Sequence, residues 1–109
     1  MFNVKQDQAY AQALAKSISS QVSVTLLRDN RKALSVNKIT RVLEKAFLQA
    51  ASYQARERMG FVRRSFFAHT FQWALRELAY PSDFVLIATE GLVVAISPKS
   101  VGTSAPRGR

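Results

Sequence analysis

The sequence predicts an α+β fold that is mainly helical, with three helices and a small antiparallel sheet. Long stretches place apolar residues at helical spacing, a short early stretch alternates apolar and polar residues, and two apolar runs near the C-terminus flank a glycine. The 109 residues are enough for one domain, which we expect over residues 1–97. Residues 98–109 are rich in Pro, Gly, Ser and Arg, which predicts a disordered basic tail.

The first two elements are expected to be a helix and a strand. The helix is predicted over residues 5–20, because apolar side chains recur at every fourth position, at Tyr10, Leu14 and Ile18. Residues 21–27 then alternate polar side chains with apolar ones, which are Val22, Val24 and Leu26. This is the period of a strand that buries one face.

The second helix, expected over residues 36–59, has one apolar face and one basic face. Ser35 or Asn37 is suited to cap its start, and Gly60 to follow its end. The periodicity leaves open whether the helix breaks near residues 49–52. The basic face carries four cations, Lys38, Arg41, Lys45 and Arg56.

The third helix is expected over residues 61–79, because Pro81 stops it. Two apolar faces of this helix are separated by a narrow polar stripe. A helix that is apolar on two sides is either central to its fold or covered on its second side by another subunit. We therefore expect a dimer interface on the second face, formed by Val62, Phe66 and Trp73.

The last two elements are expected to form a β-hairpin. Residues 84–88 and 92–96 are two apolar runs joined by three residues that include Gly91. Two such runs around a short glycine-containing connection are typical of a hairpin. Neither run alternates with polar residues, so we expect both faces of the hairpin to be covered.

The resulting order of elements is similar to that of winged-helix DNA-binding domains. In that family a first strand joins a C-terminal hairpin, and the last helix enters the major groove. The resemblance covers about residues 5–97 and lies in the order of elements. It implies that the third helix reads DNA bases.

The positive charge is concentrated in the middle of the chain. The net charge is +9, and ten of the sixteen Lys and Arg residues lie in residues 28–64, beside only three acids. Such a block is expected where phosphates are neutralised. It is also compatible with a solvated surface or an acidic protein partner. We expect Lys38, Arg41, Lys45 and Arg56 to bind phosphates, and base edges to be read by Arg63, Arg64, His69, Gln72 and Arg76.

The composition argues against an enzyme. The chain has no cysteine, which excludes thiolate metal sites and cysteine nucleophiles. It has one histidine, His69. Its four glycines form no phosphate-binding loop, and no nucleophile-elbow motif occurs. We therefore expect no catalytic residues, no metal and no cofactor.

The leading prediction is a small basic nucleic-acid-binding protein, with DNA as its partner rather than RNA. It would act as a dimeric regulator or accessory factor. The alternative is a protein-interaction subunit, inhibitor or adaptor that uses the apolar hairpin and the two-faced third helix. No apolar run is long enough for a membrane helix, and no secretory signal is evident. We therefore expect a cytoplasmic protein without a membrane partner, associated with the nucleoid if it binds DNA.

Overall fold

The computed structural model describes residues 4–29 and 35–97, and this part of the chain contains helices and no strand. In chain order the helices are α1 (Val4–Gln21), α2 (Val24–Asp29), α3 (Val36–Glu57), α4 (Phe61–Glu77) and α5 (Ser82–Ile96). The predicted α+β class, with three helices and a small sheet, is therefore wrong. Three of the five helices lie close to the predicted ones, and the other two replace the predicted strands.

The four long helices are arranged so that each packs on two others. Helix α1 packs on α3 and α4, and α5 packs on the same two helices. Asp7 near the start of α1 bonds Arg63 near the start of α4, while Tyr80 after α4 bonds the carbonyl of Val22 after α1. These two contacts show that α1 and α4 run in the same direction.

Helix α3 is continuous over 22 residues, so the break left open near residues 49–52 does not occur. The Ser35 side chain caps its start by accepting a hydrogen bond from the Lys38 amide at 3.3 Å. Its end differs from the expectation. Arg58 takes the left-handed conformation, with φ of 54°, while Gly60 precedes the first residue of α4.

The predicted early strand is replaced by the end of α1 and the short helix α2. The Ser23 hydroxyl accepts a hydrogen bond from the Leu26 amide at 3.2 Å and so satisfies a free donor in the first turn of α2. Val22 and Leu27 are buried, whereas Leu26 is exposed. The alternation of apolar residues therefore does not correspond to one buried face.

The predicted hairpin over residues 84–96 is instead the single helix α5. Its buried side chains recur at helical spacing and are Phe84, Val85, Ala88, Leu92 and Ile96. Apolar residues also occupy the outer side of the helix, which hides this period in the sequence.

Gly91, expected in the hairpin connection, lies inside α5 at a close approach to α3. A Cβ atom placed on it would lie 2.5 Å from both Cε2 and Cζ of Phe47. The missing side chain therefore makes room for the Phe47 ring. Glycine therefore allows the Phe47 ring to pack closely on α5.

Three other expectations concern the winged-helix resemblance, the C-terminal tail and membrane helices. The resemblance to winged-helix domains depends on an early strand and a C-terminal hairpin, and residues 4–29 and 35–97 contain neither. The predicted tail over residues 98–109 lies outside the described residues. Within the described ranges, none of the helices combines the length and the hydropathy needed to cross a bilayer.

Candidate functional site

Four cations form a stripe along α3, which we call the basic stripe: Lys38, Arg41, Lys45 and Arg56. At 100° per residue, three of them lie within about 20° of one another and Arg41 lies about 60° to one side. All four are exposed. The stripe extends over about 27 Å of helix at 1.5 Å per residue. The structure therefore brings together the four predicted phosphate-binding residues.

The charges of the basic stripe are not neutralised inside the described part of the molecule. No carboxylate among these residues lies within ion-pair distance of Lys38, Arg41 or Lys45. The Arg56 guanidinium lies over the Tyr53 ring, 5.6 Å from its centroid, which orients the cation without cancelling its charge. The stripe is thus available to an external anion.

Helix α1 lies directly beside the basic stripe. Gln49 is about 20° around α3 from Lys38, and its carbonyl accepts a hydrogen bond from the Tyr10 hydroxyl at 3.1 Å. Tyr53, one turn further along, stacks on Tyr10 with 4.1 Å between the ring centroids. The stripe therefore occupies the flank of α3 that faces α1.

The outer surface of α1 carries no negative charge. Its one acid, Asp7, is fully buried. Its exposed positions include Lys5, Lys16 and the small residues Ala9 and Ala13. The acid-free surface that begins at the basic stripe therefore continues across α1.

Asp7 is the centre of a buried polar network that joins α1, α3 and α4. It accepts hydrogen bonds from the Tyr53 hydroxyl at 2.7 Å and from Nε and Nη2 of Arg63 at 2.6 and 3.0 Å. Arg63 Nη2 also donates to Glu57 Oε1 at 2.9 Å. Burial acts to raise the pKa of Asp7, but the hydrogen bonds from Arg63 and Tyr53 outweigh it and hold this pKa below its usual value. Sequence reasoning missed this network.

The residues predicted to read bases are not on one surface. Arg63 belongs to the buried network, and Arg64 lines a pocket between α4 and α5, where it donates to the Met59 carbonyl at 2.8 Å. His69 and Arg76 are exposed on another side of α4, and Gln72 is partly buried. Of these five residues, Arg63 contacts α1 through Asp7, and His69 lines a groove between α1 and α4.

A groove of about 590 Å³ lies along one side of the contact between α1 and α4. Phe66 and Trp73, two of the predicted dimer-interface residues, line it together with His69. The third, Val62, is exposed on α4 but is not part of its lining. Gln8, Gln12 and Lys16 line the groove from α1. No local pattern identifies these three, because the groove forms only when two distant helices pack.

Helix α5 exposes an apolar surface that we call the α5 outer face: Leu86, Ile87, Val93 and Val94. Val94 keeps 75% of its surface exposed, and two exposed acids, Asp83 and Glu90, lie on the same side of the helix. The sequence predicted that residues 84–96 are buried on both faces. In the structure, α5 buries one side against α3 and α4 and exposes the other. Exposed apolar patches of this kind are typical of protein contact sites.

Alkaline pH is expected to destabilise the protein through Tyr53 and Tyr80. Burial raises the pKa of both phenols to about 12, and for Tyr53 the hydrogen bond to Asp7 adds to the effect. A tyrosine in an unfolded chain titrates near pH 10. The stability due to these neutral phenols is therefore complete below about pH 10 and is lost as the pH rises toward 12.

The measurement is the midpoint of thermal unfolding between about pH 8 and pH 11. It should stay level up to about pH 10 and then fall, and the fall should be shallower in Tyr80→Phe. An equally steep fall in that variant would contradict the assignment to Tyr80, whose hydroxyl donates to the Val22 carbonyl at 2.6 Å.

The described residues contain no group of three His, Asp or Glu side chains that could hold a metal ion. Three surface features could bind a ligand: the basic stripe, the groove between α1 and α4, and the α5 outer face. No protein-family model, curated protein or solved structure matches this chain.

Proposed function

We propose that this protein binds nucleic acid, with its basic stripe along the phosphates. The observation that carries the proposal is the stripe itself, whose four cations share one helix face. Lys38, Arg41 and Lys45 have no ion-pair partner among the described residues. Cations in such an arrangement release counterions when they meet phosphates, and this release drives binding.

The acid-free surface of α1 supports the same function. A polyanion that lies along α3 also meets α1, because the stripe occupies the flank of α3 next to it. No exposed carboxylate of α1 would repel that polyanion, since Asp7 is buried. Arg63 has no role in this proposal because its guanidinium is held by Asp7 and Glu57.

The test is binding to a random-sequence DNA duplex over a series of salt concentrations. Each neutralised phosphate contributes about 0.9 to the slope of log affinity against log salt. The triple variant Lys38→Gln, Arg41→Gln and Lys45→Gln should therefore lower this slope by about 2 to 3. An unchanged slope in the triple variant would refute the proposal, and so would absence of wild-type binding at low salt both to this duplex and to a single strand of equal length.

A pair of single variants separates the stripe from net charge. Glu44→Gln and Glu90→Gln each raise the net charge by the same amount, but Glu44 lies on α3 and Glu90 on α5. At about 0.1 M salt, exposed charges more than about 10 Å apart are largely screened. Glu44→Gln should therefore strengthen binding more than Glu90→Gln, whereas equal effects would indicate that position does not matter.

A protein-interaction role is the second candidate, and the α5 outer face favours it. Its apolar residues are exposed on a helix whose outer side is largely apolar like its buried side, and helices of this composition are usually buried. Lack of nucleic-acid binding at low salt, together with self-association in light scattering, would favour this role over the first.

A further inference from the structure

The groove between α1 and α4 exposes the one tryptophan of the chain. Trp73 keeps 56% of its surface accessible, although it lies beside Phe66 in a concave site. Tryptophan side chains are usually largely buried, so an exposed ring in a groove is available to a flat partner. The groove volume of about 590 Å³ is within the range of small-molecule sites.

Polar side chains around this ring suit a ligand with hydrogen-bonding edges. Gln8 and Gln12 bring amide groups from α1, and His69 brings an imidazole from α4. Amides both donate and accept, as the edges of nucleobases do. An aliphatic partner would leave these groups without hydrogen bonds, which is unfavourable in a covered site.

The groove lining carries one cation, Lys16 of α1, and one acid, Glu77 of α4, so these charges balance. The positive charge that attracts a polyanionic strand is on the basic stripe. Between the groove and the basic stripe lies only α1, whose diameter is about 10–12 Å with side chains. Its exposed Ala9 and Ala13 leave room for a strand to cross, and no exposed acid of α1 opposes it.

We propose that the groove takes one unpaired base of a nucleic-acid strand, stacked on the Trp73 ring, while phosphates of the same strand lie along the basic stripe. This inference rests on the proposed function and specifies its substrate as single-stranded. In a duplex the bases are stacked on one another, so their faces are not accessible to an aromatic side chain.

The experiment uses the intrinsic fluorescence of Trp73 in the full chain, titrated with an oligothymidylate and with a duplex of equal length. The oligothymidylate should change the fluorescence to a saturating plateau, because base stacking alters the environment of the ring. The duplex should bind more weakly and leave the fluorescence of Trp73 nearly unchanged. Inorganic polyphosphate supplies the charge without bases and should also leave it unchanged.

Variants test the stacking through affinity, measured by anisotropy of a labelled oligothymidylate. Trp73→Ala should weaken binding about 10-fold or more, and Trp73→Phe should retain most of it. The matched control is Ile87→Ala, a similarly exposed apolar residue on α5, which should bind as the wild type does. Circular dichroism checks that each variant is folded.

The outcomes separate this inference from the proposed function. Binding of both oligonucleotides without a change at Trp73, or with equal affinity in Trp73→Ala, would overturn the stacking site and leave the basic stripe in place. If neither the oligothymidylate nor the duplex binds at low salt, both the stacking site and the proposed function are overturned. A groove that takes up a protein partner instead would give no response to oligothymidylate.

Discussion

Replacing Asp7 by alanine is expected to lower the free energy of unfolding by about 3–5 kcal/mol, because it removes one partner of a buried ion pair. Asp7 is fully buried, and the side chain of its partner Arg63 is only 13% exposed. Without the carboxylate, the guanidinium keeps Glu57 as its one charged partner in the network, and the Tyr53 hydroxyl loses its acceptor. A domain of this size has about 5–15 kcal/mol in total, so the loss is a large share of it.

Urea denaturation of three variants measures this effect. Glu90→Gln neutralises an exposed acid and should change the free energy of unfolding by no more than about 0.5 kcal/mol. The double variant Asp7→Leu with Arg63→Met replaces the pair by apolar residues and should recover much of the loss. A loss below about 1 kcal/mol in Asp7→Ala would show that the network does not hold α1, α3 and α4 together.

Acid pH provides an independent check of the same network. The pKa of Asp7 is held below its usual value, so its contribution is complete above the pKa of an unfolded aspartate, near 3.9. The contribution is lost as the pH falls through the lower pKa of the folded state. The wild type should therefore lose stability below about pH 4 more steeply than Asp7→Asn does.

Three of the five described helices could be predicted from the sequence. The apolar spacing in α1, α3 and α4 predicted their bounds to within two residues at each end. Each of these helices has a polar side that makes the period visible. The basic stripe could be predicted for the same reason, because its cations share one face of α3.

The three predicted strands were wrong because periodicity does not distinguish a short apolar run of a strand from a buried helix. In α5 the apolar residues occupy both the buried side and the outer face, so no period is left to read. Gly91 then suggested a turn, although it serves a contact with Phe47, which is 44 positions earlier in the chain. Packing against α3 and α4 outweighs the β-propensity of the Val and Ile residues.

The buried network had a signal that could have been read. Asp7 is one turn before Ala11 on the buried stripe of α1, and Arg63 is one turn before Phe67 on that of α4. A charge at a core-facing position requires a partner of opposite sign. The sequence could therefore suggest two charges in need of partners, but only the packing of α1 against α4 pairs them.

Replacing Gly91 by leucine is expected to lower the free energy of unfolding by about 2–3 kcal/mol, at the upper end of the usual cost of overpacking. Even the first atom of the new side chain would lie 2.5 Å from two atoms of the Phe47 ring. Leucine favours a helix over glycine by about 1 kcal/mol, and this gain offsets only part of the clash. Gly60→Leu is a control for the clash alone, because a Cβ atom there meets nothing within 4 Å and Gly60 precedes the first residue of α4.

A double-mutant cycle with Phe47→Ala decides whether the clash is the cause. If α5 packs on α3 through this contact, Leu at position 91 fills the space left by the Phe47 ring. The double variant should then be more stable than the sum of the two single losses implies, by at least about 1 kcal/mol. A glycine needed for a hairpin turn would behave differently, because the strain of leucine in that turn would persist whichever residue stands at position 47. Additive losses would therefore count against the α3–α5 contact and against α5 as one continuous helix.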